Sequence, residues 1–420
     1  MSSEFEKNLE RYADVILSVG LNLQKGQHLL IGAPAPYNYG VPIELAPLIR
    51  IITKKAYQIG ARFVEVLWDD DIIKLIRFQY ASKDAFREFP TWRTDAEYHF
   101  AKNADAILII VAFSPDLLKE QDSSLFMTSV QAYLDHDKSF ADLRHQDAMN
   151  NLVITAPVKG WVNKLFPDLT PEKGNAKLWE ILFKICRLNK KDPIKAWKDH
   201  IAELQARSKV LNKKQYVELK MVAPGTELEI GLPKRHNWQA AMSTSKSGID
   251  FVGNIPTEEI FTLPHKNKVE GFVKLTKPFS RVVLVEDLKL VFSEGKIIQA
   301  TAKKGQDFIN NILNMDEGAR RLGEVALVPH SSPISQTRLL FHNVLIDENA
   351  SCHIALGNAW RSCLEGGNLM TDQEFSAAGG NISKLHYDFM IGSDKMDIDG
   401  TLKNGDKEPI MRNGEWFFDI

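Results

Sequence analysis

The chain has 420 residues, 44% of them hydrophobic and 25% charged, with a net charge of -2. That is the composition of a globular protein too long for one core, and its near-neutral charge provides no field for nucleic acid or an acidic membrane. Three cysteines, Cys186, Cys352 and Cys363, are too few and too sparse for a disulfide framework. The N-terminus is charged and amphipathic, without the basic start and apolar core of a signal peptide. No apolar run is long enough to span a bilayer. A cytoplasmic protein with no nucleic-acid or membrane partner is expected.

Phe5 to Ser18 carries helical spacing. His28 to Gly32 is a short apolar run that stops at Ala33-Pro34 and reads as a buried strand. Pro42 to Gly60 reads as a helix, with proline near its start and glycine at its end. Phe63 to Leu67, Asp105 to Val111 and Leu152 to Thr155 are further strands, with helical patterns between them. Short apolar strands alternating with amphipathic helices predict a doubly wound α/β domain with a mostly parallel sheet, residues 1–190.

Asn175 to Leu211 is helical and charged, and reads as a bridge. Beyond it Tyr216 to Ala223, Thr226 to Ile230, Glu270 to Thr276, Arg281 to Glu286 and Leu288 to Phe292 alternate or are β-branched. Ser293-Glu294-Gly295-Lys296 fits a hairpin turn. Asp307 to Leu313 reads as a short helix, and Asp347 to Trp360 as a longer one capped by Asp347. Lys384 to Ile391 returns to strand. Residues 191–420 are thus expected to form an α+β, mainly antiparallel domain.

No dinucleotide-binding glycine motif, P-loop, nucleophile elbow, H-E-x-x-H helix or paired C-x-x-C occurs, which removes the commonest dehydrogenase, NTPase, serine-hydrolase and zincin readings. Asp69-Asp70-Asp71 follows a strand directly and reads as a loop and helix cap. Asp397-Ile398-Asp399-Gly400 has Lys395 where a calcium loop needs its first aspartate.

The second half holds a better set. His386 and Asp388 fall on one face of a strand, able to grip a cation from a rigid support; a polar strand face is the plain alternative. His353 sits in a small, apolar segment with Glu348 at its start, and such a histidine is usually a satisfied core residue. Glu324 opens an apolar strand, where a carboxylate needs a partner. Glu258 and Glu259 stand among apolar residues after Thr257, which can cap a helix. Carboxylates mixed with imidazoles suit divalent zinc, cobalt or manganese better than magnesium or calcium.

At these residues the sequence resembles the aminopeptidase T group, which includes the PepS-type and staphylococcal aminopeptidases. The resembling blocks are Asn254 to Thr262, Glu317 to Val328, Asp347 to Gly357 and His386 to Gly392, with Leu228 to Pro233, in order through residues 220–400. The first half fits more loosely, through its α/β pattern and Trp161 to Asp168. The resemblance implies a two-domain metallo-aminopeptidase holding two divalent ions, usually a homodimer, that removes N-terminal residues from peptides. Carried over by position, Glu258, Glu324, His353, His386 and Asp388 are the expected metal ligands, with Glu348 added. Glu324 is the expected bridge and Glu259 the expected general base, although the roles of Glu258 and Glu259 can be exchanged. One departure stands out: the group commonly has tyrosine where this chain has Trp360, which has no acidic hydroxyl. A hydrolase of non-peptide amides and a non-catalytic relative remain the alternatives.

Overall fold

A computed structural model describes residues 3–32, 40–280 and 283–420. The end of the first apolar run at Ala33-Pro34, and Arg281 at the start of Arg281 to Glu286, lie outside the described residues. The chain divides into two compact units, Met1–His200 with Met242–Pro256, and Ile201–Ala241 with Thr257–Ile420.

In the first unit, strands β1 (His28–Gly32), β2 (Phe63–Val66), β3 (Ala106–Ile110) and β4 (Asn151–Ile154) pair in parallel in the order β2-β1-β3-β4. Helices α1 (Ser3–Val15), α2 (Ala46–Ile59), α3 (Asp71–Tyr80), α4 (Trp92–Lys102), α5 (Ser123–His145), α6 (Lys159–Leu165) and α7 (Pro171–Ile185) precede, separate and follow them. Every residue of β3 and β4 is buried, as a parallel strand covered on both faces must be. The α/β expectation is met. Asp70 caps α3 by accepting the N–H groups of Ile72 and Ile73. The segment after Met242 extends the unit: the Val153 N–H donates to the Gly253 carbonyl (2.8 Å), and the Ile255 N–H to the Val153 carbonyl (3.0 Å).

The helical stretch expected across Asn175 to Leu211 is two helices. The chain breaks after α7 and restarts at α8 (Pro193–Lys214), where proline needs no N–H and the Asp192 carboxylate accepts the Lys195 N–H.

The second unit is antiparallel. Its larger sheet has eight strands: β5 (Glu218–Ala223), β6 (Thr226–Gly231), β9 (Val269–Lys274), β10 (Lys289–Ser293), β11 (Lys296–Thr301), β15 (Asp397–Thr401), β16 (Lys407–Arg412) and β17 (Glu415–Trp416). β10 and β11 turn at Glu294 and Gly295, both with positive φ (50° and 76°), as a tight hairpin requires. The smaller sheet has the order β14 (His386–Met390), β13 (His353–Gly357), β12 (Leu322–Leu327), β8 (Ile260–Thr262), β7 (Gln239–Ala240). One apolar core joins them: Met221, Leu228 and Ile230 of the larger sheet cluster with Val325, Ile354, Leu356 and Phe389 of the smaller. The mainly antiparallel expectation is met.

Two local expectations are overturned. Asp347 to Trp360 is not one helix: a single turn, α9 (Val344–Asp347), and a 3-10 turn (Glu348–Ala350) lead into β13, so His353 stands on a strand. A short, continuously apolar run does not by itself distinguish a buried helix from a central strand, and here pairing on both sides decides. Thr257 caps no helix, because Thr257 to Glu259 is irregular chain leading into β8.

The core side of the smaller sheet carries its stability. Ile354 is fully buried there, so Ile354→Ala should cost about 2–5 kcal/mol by transfer and cavity formation without removing any polar side chain of the opposite face. Urea unfolding should show a lower midpoint at unchanged slope.

Candidate metal centre

The smaller sheet presents its chemistry on the face opposite that core. Cross-strand register decides which residues share the face. Ala326 pairs with His353, Glu324 with Ala355, Ala355 with Asp388 and Gly357 with His386. Paired residues project to the same side, so Glu324, His353, Asp388 and His386 are neighbours across three strands. Ala355 and Gly357 between them are small and leave the space open. The intervening residues Val325, Ile354 and Phe389 belong to the core. Tyr387 likewise points to the core side, its ring packed edge-on against Phe279.

The two glutamates precede β8 on irregular chain and differ in their contacts. The Glu259 carboxylate lies 3.1 Å from His353 Nε2. The Glu258 N–H donates to the Asn349 side-chain oxygen (2.7 Å), and Glu258 is buried.

Two overlapping triads result. Ligand atoms of Glu259, Glu324 and His353 lie within 4.8 Å of one another, as do those of Glu324, His386 and Asp388. Glu324 belongs to both. Its Oε1 is 3.5 Å from His353 Nε2, and its Oε2 is 3.6 Å from His386 Nε2. His386 Nε2 is also 3.3 Å from Asp388 Oδ1. Each imidazole is fixed from behind by a main-chain carbonyl. His353 Nδ1 donates to Ser351 (3.2 Å) and His386 Nδ1 to Asn358 (2.7 Å), which turns both Nε2 atoms inward.

Of the expected ligands the fold brings together Glu324, His353, His386 and Asp388. Glu259, expected as the base, joins them in the first triad, whereas the Glu258 carboxylate is in neither. Glu348 stands beside the triads and outside both; burial and then the charges of Asp388 and Glu259 hold its carboxyl well above the usual range. Burial likewise raises Glu324. Burial alone would lower the histidines, but Glu259 and Glu324 drive His353 well up, and Asp388 with Glu324 brings His386 to about 9.

The supports behind this set were not legible in sequence. Asp347 accepts the N–H groups of Phe341 (2.8 Å) and Asn343 (3.1 Å), and Asn349 ties Glu258 to the Leu345 carbonyl (3.2 Å). Main-chain carbonyls leave no sequence signal, since every residue has one. Asp347 was visible only as a helix cap, and Asn349 only as a polar neighbour of Glu348.

Four carboxylates crowded onto one largely buried face repel one another and lose hydration, and two imidazoles do not neutralise them. The donor set is the one divalent cations satisfy, with imidazole and carboxylate mixed and the histidines oriented by carbonyls. Fold and site together describe a two-unit protein with a metal-binding centre on its antiparallel half.

Comparison with known proteins agrees. The chain belongs to the thermophilic metalloprotease (M29) family, whose model matches residues 5–416. It is 40% identical to Aminopeptidase 2 of Geobacillus stearothermophilus, covering 100% of both chains, and 40% identical to Aminopeptidase AmpS of Bacillus subtilis (strain 168), covering 99% of both. The structure of wild-type AmpT from Thermus thermophilus superposes with a TM-score of 0.91 at 34% identity, over 99% of this chain and 100% of that one. A dihydroxypyridine dioxygenase from Pseudomonas putida KT2440 shares the fold alone, with a TM-score of 0.52 at 12% identity.

Because metal ligation needs neutral imidazoles, while His386 titrates near 9 and His353 is raised well above the ordinary value in the metal-free chain, cation binding must expel protons. Affinity for Zn²⁺ should therefore climb as pH rises towards about 9 and level off above it. Calorimetry at neutral pH in buffers of different ionisation enthalpy should register that proton release; its absence would show that the imidazoles are not ligands.

Proposed function

We propose that this chain is a metal-dependent aminopeptidase whose centre holds two divalent ions and removes single N-terminal residues from peptides. The observation that carries the reading is Glu324, which turns one carboxylate oxygen to each imidazole and is shared by both triads. Glu324 would therefore help hold both ions. Glu259 and His353 would complete one site, His386 and Asp388 the other. Zinc, cobalt and manganese suit the donors. The named aminopeptidases among the relatives support peptides as substrates.

Bound ions at such a centre supply Lewis acidity towards the scissile carbonyl and acidify a water. The protein's own part is positioning and proton transfer. The Ser351 and Asn358 carbonyls keep the protons of both rings on Nδ1, which leaves Nε2 free to meet an ion beside the Glu324 and Asp388 carboxylates. Glu348 fits proton transfer: it adjoins the triads without belonging to either, and burial makes its carboxylate a stronger base than a free one. As the carboxylate it would take a proton from the attacking water at one oxygen and return it to the nitrogen of the leaving amine.

The two glutamates separate by experiment. Glu259→Ala should lose bound metal and activity together, whereas Glu258→Gln should keep its metal. Glu348→Gln should retain metal and lose about 10²–10⁴-fold in kcat on a leucyl chromogenic amide. Metal loss from Glu348→Gln would make that residue a ligand. Exhaustive chelation should abolish turnover, and persistence of activity in a metal-free sample would end the reading.

A homodimer and a reducing, cytoplasmic setting complete the proposal. Cys186, Cys352 and Cys363 are all free and buried, and among the described residues no helix is long and apolar enough to cross a membrane. For the dimer, α3 is inside out. Lys74 is 8% exposed and paired with Asp71 (3.2 Å), while Ile72, Ile73, Ile76 and Tyr80 face solvent at 61%, 67%, 49% and 81%. The stripe carries no charge, so its cover must be apolar too, and a second copy across a two-fold axis offers the same stripe. Ile73→Glu with Ile76→Glu should convert a dimer to a monomer in sedimentation equilibrium. A double variant that stays dimeric would move the interface off α3.

A further inference from the structure

The centre is open at one edge. The side chains of Glu259, Glu324, His353 and Asp388 are 9%, 6%, 1% and 8% exposed, whereas His386 is 25% exposed. A substrate therefore meets the centre along the His386 edge. Trp360 stands at that edge, its ring centroid 5.7 Å from the imidazole of His386 and inclined at 63°. It lies three residues past the end of β13 and is half-buried, so one part of the indole is anchored and another part is open. The anchor is a small apolar cluster of Leu263, Ala359, Cys363, Leu364 and Phe375. Phe261 and Met370, also half-buried, pack on the same cluster. Phe261 shares the sheet face of His353, since both pair with Ala326. The open edge at His386 is thus bordered by an indole with a packed apolar backing.

We propose that Trp360, seated on the apolar cluster that also carries Phe261 and Met370, forms the binding surface for the side chain of the N-terminal residue and selects large apolar residues there. The proposal rests on the aminopeptidase reading. A substrate amine and scissile carbonyl held at the centre leave the first side chain at its rim. The indole offers a broad apolar face that loses little entropy on contact, because it is already packed. A leucyl or phenylalanyl side chain buries surface against it and a glycyl residue has nothing to bury. Trp360 has no acidic hydroxyl, so its contribution is to binding and orientation of the substrate.

The test is kcat/KM of the metal-loaded protein for leucyl, phenylalanyl and glycyl p-nitroanilides. Wild type should prefer the first two. Trp360→Ala should lower the leucyl-to-glycyl ratio at least about 10-fold, equivalent to roughly 1.4 kcal/mol, chiefly through KM and with unchanged metal content. Trp360→Phe should keep most of the preference, and Phe261→Ala should lower the same ratio, which keeps the proposal testable if Trp360→Ala does not fold. Equal loss on all three substrates, or an unchanged ratio in both alanine variants, would overturn it. An inactive wild type with full metal occupancy would instead overturn the aminopeptidase reading, and this inference with it.

Discussion

Four carboxylates held close together in a largely dry place are the constraint on which the rest of this molecule turns. Glu259, Glu324, Glu348 and Asp388 influence one another electrostatically, and burial presses Glu324 and Glu348 towards their neutral forms. Without a cation that demand raises the proton affinity of Glu324, Glu348 and the two imidazoles. A cation meets it by replacing those protons with fixed positive charge. The site is built to exchange one for the other, and its metal affinity and its pH dependence have the same origin.

The antiparallel sheet makes such crowding possible. Three adjacent strands give Glu324, His353, Asp388 and His386 a common face with spacing fixed by backbone hydrogen bonds, and Ala355 and Gly357 keep the middle of that face low. On the reverse face Val325, Ile354, Leu356 and Phe389 enter the large core shared with the eight-stranded sheet. The same alternation that buries apolar side chains behind the sheet therefore orients the ligands in front of it, and core packing stabilises their mutual geometry. The distant dioxygenase of similar fold shows that the scaffold does not dictate the reaction. What marks this chain is its particular donors and the family to which its whole length belongs.

The segment from Phe341 to Ala350 plays a quieter part. It has little regular structure, yet Asp347 gathers the N–H groups of Phe341 and Asn343, and Asn349 reaches across to Glu258. An irregular chain that satisfies its backbone in this way can place Glu348 beside the triads with little freedom to move.

Much of this was determined by local sequence. Apolar runs separated by helical periodicity identify the parallel sheet of the first unit; alternation identifies most strands of the second; and the H-x-D spacing places His386 and Asp388 on one face, because these patterns depend on residues only a few positions apart. The resemblance adds the family and the residues that gather. Tertiary structure alone decided that His353 stands on a central strand rather than a helix, since partners on either side, Ala326 and Met390, select between two readings of the same apolar run. It decided too that Glu259, and not Glu258, faces His353. The two precede β8 on irregular chain, where no local periodicity fixes which carboxylate turns inward; the contact of Glu259 with His353, a residue far along the chain, distinguishes them.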